Sequence, residues 1–135
     1  MSFSLKTPKN TRNFKDVVRG GSLATTKGAL YTISLTTGNL QVAGASTAAT
    51  QEIYCANQTL SAGTGAVNCL IVERGDEFLA DTVNNTAATH KGQRCVLDAT
   101  GLLINNTGTD APAGPFEIVD IVGVAADKKV LVKRV

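Results

Sequence analysis

The chain has 135 residues, with 13 Lys and Arg against 11 Asp and Glu, a formal net charge of +2 and only 18 % charged residues. That length fits one domain, and so small a net charge gives no argument for nucleic acid by itself. No segment reaches the ~20 apolar residues of a membrane helix. The opening Met1-Ser2-Phe3-Ser4-Leu5-Lys6 lacks the apolar centre of a secretory leader, so synthesis in a reducing, cytoplasm-like compartment is expected.

The charge is unevenly spread. Residues 1–27 hold Lys6, Lys9, Arg12, Lys15, Arg19 and Lys27 against Asp16, six cations to one acid or +5; the rest holds seven cations to ten acids, or −3. Pro8, the Gly20-Gly21 pair and isolated charges give the leader no helical or strand period, and it reads as an extended basic arm with Phe3, Leu5, Phe14, Val17 and Val18 as apolar anchors. Such anchors can dock on a partner or fold back on their own domain. The body is then 28–135, and deletion of residues 1–20 is expected to leave it folded.

From Gly28 the period becomes two. Tyr31, Ile33 and Leu35 alternate with Thr32, Ser34 and Thr36, which predicts a half-buried strand closed by a turn at Thr37-Gly38-Asn39, with Leu40-Gln41-Val42 returning. Residues 44–51 read as a loop or a weak edge segment, the Ser61–Gly65 stretch as a flexible loop, and Ile53-Tyr54-Cys55-Ala56 as a short strand. Val67 to Val72 is apolar enough for a central strand. Asp76 to Ala88 is the one stretch that could form a short helix, although Asn84-Asn85 would break it. Gln93–Leu97 and Leu102–Ile104 flank Asp98-Ala99-Thr100-Gly101 as a hairpin would; Asn105–Pro115 is a loop. Phe116–Val124 and Val130–Val135 around Ala125–Lys129 form the clearest hairpin. These strands and turns predict an all-β fold with at most one short helix: a small antiparallel β-sandwich or barrel with an extended N-terminal arm.

The order Gly75-Asp76-Glu77-Phe78, Gly92-Gln93-Arg94-Cys95-Val96-Leu97-Asp98, Gly101, Asn105-Asn106, Gly114-Pro115-Phe116-Glu117-Ile118-Val119 and Lys128-Lys129-Val130-Leu131-Val132-Lys133 resembles the small capsid decoration, or cement, proteins of tailed bacteriophages. The resemblance covers about residues 70–135. It implies a non-enzymatic β domain on the capsid exterior, made in the host cytoplasm, commonly a homotrimer, that binds the major capsid protein between capsomers without a cofactor. It also implies a capsid-binding arm, which falls by position and character on Phe3, Leu5, Lys6, Lys9, Arg12, Phe14, Lys15 and Arg19. Two other readings stand beside it. One is a different virion module, such as a head-fibre or tail base or a small coat protein. The other is a nucleic-acid-binding β-barrel with a basic arm, which the lack of clustered aromatic stacking platforms disfavours.

Other motifs have plainer readings. Arg74-Gly75-Asp76 reads as a turn. Asn57-Gln58-Thr59, Asn84-Asn85-Thr86 and Asn105-Asn106-Thr107 match a glycosylation pattern but mark surface loops. His90 is a loop residue, and Glu73, Asp76, Glu77 and Asp81 an acidic edge. Gly20-Gly21 through Gly28 is a hinge lacking the phosphate-loop spacing. Cys55, Cys69 and Cys95 have no metal-ligand spacing and read as buried small hydrophobes, with a disulfide as the alternative.

Overall fold

A computed structural model describes residues 3–6, 13–107 and 110–135. The chain is nearly all β, and its strands form two main sheets packed as a sandwich. In the first, β1 (Ser4–Leu5) pairs with β9 (Glu77–Thr82), followed by β13 (Lys129–Arg134), β12 (Phe116–Val122) and β10 (Arg94–Cys95), while β11 (Leu103–Ile104) adds to β9 in parallel. The second sheet runs β2 (Phe14–Val18), β8 (Ala66–Val72), β6 (Ile53–Ala56), β4 (Leu30–Ile33) and β5 (Leu40–Val42), antiparallel throughout. A small pair, β3 (Leu23–Thr25) with β7 (Leu60–Gly63), stands apart.

Period-two patterning decides which side chains meet. On β13, Val130, Val132 and Arg134 are buried and alternate with half-buried Lys129, Leu131 and Lys133; Phe78 and Ala80 do the same on β9. They face Leu30, Ile53, Cys55 and Val72 of the second sheet and form the main core. At its centre Phe3, Phe78 and Phe116 pack ring against ring, with centroids 5.5 Å apart for Phe3–Phe116 and 6.0 Å for Phe3–Phe78. Such pairs add roughly 0.5–1.5 kcal/mol each to the burial of the rings.

The second sheet is apolar on both faces. Its other side presents Val17, Tyr31, Tyr54, Val67 and Cys69, a second core onto which Leu23 and Leu60 of the small pair fold. This sheet also curls: Arg19, one residue past β2, forms a parallel bridge with Leu40 of β5, so the two edge strands touch at one end. The fold is thus a sandwich whose second layer bends toward a barrel.

Two readings change. Asp76 to Ala88 is no helix: its apolar residues alternate, and β9 uses that alternation between β1 and β13, leaving only a 3-10 turn at Ala88–His90. Ser61–Gly65 is largely β7, because the small residues let it lie close to β3 and the Arg19 side chain. The hairpin around Asp98–Gly101 forms but is short: Leu97 bridges Ile104, the Asp98 amide donates to Leu103 O and the Asn105 amide to Val96 O, each at 3.0 Å, and the arms also reach different neighbours, β10 joining β12 and β11 joining β9. The β12–β13 hairpin forms as expected, with a register shift between Ile118 and Asp120. Of the Asn105–Pro115 loop, residues 108 and 109 lie outside the described residues.

Candidate functional site

The leader does not hang free of the body. Phe3 is 4 % exposed inside the main core, Leu5 packs against that core, and β1 pairs Ser4 with Leu79 and Leu5 with Phe78. Val17 is buried in the second core. Arg19 is 7 % exposed, and its guanidinium donates to the carbonyls of Gly65 at 2.9 Å, Leu23 at 3.0 Å and Ser61 at 2.6 Å. Phe3 and Arg19, expected to face a partner, are therefore turned into their own fold. For Phe3 the reason is apolar burial. For Arg19 it is three main-chain acceptors at the junction of β2 with the small pair.

What remains on the surface is narrower. Phe14 is 52 % exposed on β2, Lys15 is exposed beside it, and Lys6 and Lys27 are exposed nearby in the fold. Lys9 and Arg12 lie outside the described residues. Phe14 borders a cleft of about 370 Å³ between the sheets, walled by Phe3, Leu5, Leu70 and Phe78 with Lys27 at its edge.

A larger groove, about 730 Å³, lies on the other side of β2. It is the part of the curled second sheet that fails to close. Lys15 to Val18 line one wall, and Ile33 at the end of β4 with Leu35 and Gly38 of the β4–β5 connection the other. Tyr54 is its buried floor. The Lys15 ammonium sits 6.0 Å from the centre of the Tyr54 ring. Burial, and then the hydrogen bond to Glu52, push the Tyr54 hydroxyl up to about 12. Leu35, 94 % exposed, and Val18, 55 % exposed, are the apolar lips. The sequence pattern placed Leu35 on a buried strand face with Tyr31 and Ile33. The strand instead ends at Ile33, because Ser34 accepts from the amides of Thr36 and Thr37 and turns the chain early.

The acidic edge is structural in most of what it shows. Asp76 is fully buried, its carboxylate receives the Glu73 amide at 2.9 Å, and Asp81 pairs with Lys129 at 2.7 Å. The Arg74-Gly75-Asp76 tripeptide is a tight turn with Gly75 at φ 89, and burial of Asp76 removes it from any adhesion role. His90 lies in the 3-10 turn, with its Nδ1 accepting from the Ala87 amide at 3.1 Å. Asn106 is buried and ties down the loop at Asn84 and Asn85. The three cysteines are free and buried. Among the described residues no three His, Cys, Asp or Glu side chains come together to hold a metal ion.

The chain matches no protein-family model, no curated protein and no solved structure.

Proposed function

We propose that this chain is a non-enzymatic structural protein that decorates and stabilises the exterior of a tailed-bacteriophage capsid by binding the major capsid protein. The observation that carries the reading is Phe14. A large aromatic side chain, half-exposed on the edge strand of a sheet and flanked by exposed Lys15, marks a surface for another protein. The partial resemblance in residues 70–135 supplies the class of partner. Lys6 and Lys27, exposed on the side of Phe14, favour an acidic partner surface and steer its approach. A small oligomer, a trimer in this reading, multiplies weak single contacts on a shell whose sites repeat.

The test is a mixing experiment with expanded capsids stripped of decoration, read by cosedimentation and by imaging where density is gained. The wild-type chain is expected to add at fixed positions, and Phe14→Glu to lose about tenfold or more in affinity while keeping its fold. Equal binding by Phe14→Glu would move the contact elsewhere, and no binding by the wild type would end the capsid reading.

A further inference from the structure

We propose that the cleft between the sheets beside Phe14 binds a small apolar monocarboxylate, its hydrocarbon part lying between Leu5 and Leu70 and its carboxylate at the Lys27 ammonium. The site goes beyond the capsid reading and stands or falls without it.

Both sheets supply walls. Leu5 comes from β1 of the first sheet, while Phe14 of β2 stands directly opposite Leu70 of β8 in the second. Leu5 and Leu70 are half-buried against the main core, and Phe14 is 52 % exposed, so all three line the cleft with apolar surface still open to water. Covering such surface is favourable in proportion to its area. The volume of about 370 Å³ falls in the range of small-molecule sites, which join apolar walls to a few placed polar groups. At ~30 Å³ for each water-sized group, that is room for about twelve non-hydrogen atoms. No single inserted side chain supplies so many, which favours a whole small molecule as the occupant.

Charge sets what the ligand carries at its end. Of the side chains that line the cleft, Lys27 alone is charged, and no carboxylate is among them. Lys27 is exposed and belongs to neither the Lys91–Asp120 nor the Lys129–Asp81 ion pair. Its main chain is firmly held. The Lys27 amide donates to Thr59 Oγ1 at 2.9 Å, the Gly28 amide to Ala56 O at 2.8 Å, and Gly28 O accepts from the Phe3 amide at 3.0 Å. These bonds tie the rim to β6 and to the residue before β1, so the Lys27 stem starts from a fixed point beside apolar walls. One cation there matches a monoanion; a dianion is left half unpaired, and a cation is repelled. The groove on the other side of β2 makes no such choice, because Asp16 and Glu52 line it together with Lys15.

The probes are hexanoate, octanoate, 1-octanol and octylammonium, titrated into the full chain and followed by NMR chemical shifts. Octanoate is expected to shift Leu5, Phe14, Lys27 and Leu70 and to leave Val18 and Leu35 unmoved. Each methylene added between hexanoate and octanoate is expected to tighten binding about fourfold. Octanol is expected to bind about threefold more weakly than octanoate, and octylammonium more weakly again. Lys27→Glu changes an exposed side chain and is expected to reverse the order of octanoate and octylammonium while leaving octanol unchanged. No shift with millimolar octanoate, an affinity indifferent to chain length, or equal binding of octylammonium by the wild type would each overturn the proposal. So would shifts centred on Val18 and Leu35, or an order unchanged in Lys27→Glu. Capsid addition by a chain that ignores octanoate leaves the decoration reading standing and removes this site. Octanoate binding by a chain that ignores capsids does the reverse.

Discussion

Two buried arginines show what a cation does inside this fold, and Arg19 shows how charge alone misplaces one. Arg19 and Arg134 are 7 % and 4 % exposed, and both spend their donors on main-chain carbonyls. Arg134 reaches from β13 across to Ala49 O at 2.9 Å and Gln51 O at 2.7 Å, on the segment that leads into β6 of the other sheet. It thereby ties the two layers at their edge. Arg134→Met keeps most of the stem's bulk but strands those acceptors, and a loss of about 2–3 kcal/mol is expected in chemical denaturation; an unchanged midpoint would show that water replaces the guanidinium freely. The thiols give a pH-dependent counterpart. Burial pushes Cys55 up to about 12 and Cys69 and Cys95 up to about 11, from 9.0. Below pH 9 the thiols are protonated in both folded and unfolded chains and stability does not depend on them. Above pH 9 the unfolded chain releases these protons and the folded chain holds them, so stability falls as pH rises toward 11–12. Denaturation midpoints taken from pH 8 to pH 11 should show that decline, and it should be shallower in Cys55→Ala.

At the scale of elements, local pattern and neighbour choice separate. The β12–β13 hairpin was legible because both of its strands and its turn are contiguous. Asp98–Gly101 was legible as a turn closing a short hairpin, but nothing in Arg94–Cys95 or Leu103–Ile104 states which distant strand each will join. Gly101 itself is fixed by two demands: its φ is +70, and a Cβ there would come within 2.5 Å of Leu30 O and 3.0 Å of Ala43 O. Gly101→Ala is therefore expected to lower stability by about 2 kcal/mol or more, measured by thermal unfolding. A neutral result would mean that the turn can move off β4. The short helix that Asp76–Ala88 could have formed is absent for a related reason. Glu77, Leu79 and Asp81 alternate with Phe78, Ala80 and Thr82, and that period of two outweighs helix-compatible composition once strands are available on both sides.

For the whole molecule, the leader is the main surprise. A +5 segment without periodic pattern suggested an appendage, yet its described parts supply an edge strand to each sheet, an aromatic ring to the main core and a buried cation to the junction with the small pair. Removal of residues 1–20 takes away Phe3, Val17 and Arg19 together. The truncated chain is accordingly expected to lose its dispersed NMR spectrum or to aggregate through the uncovered β8 and β9 edges. A well-folded truncation would return the leader to the status of a detachable arm.

By itself the sequence determined the all-β class, most turns, the buried thiols and the hairpin at the C-terminal end. Those depend on alternation and on residues whose conformational limits act within a few positions. The tertiary structure decided that Phe3 and Arg19 are internal, that the second sheet curls until Arg19 meets Leu40, and that Leu35 and Val18 border an open groove. Each of these is a pairing between segments distant along the chain. Polarity and period fix which side of a strand is apolar, while the identity of the segment that covers it follows from how all the strands compete for edges at once.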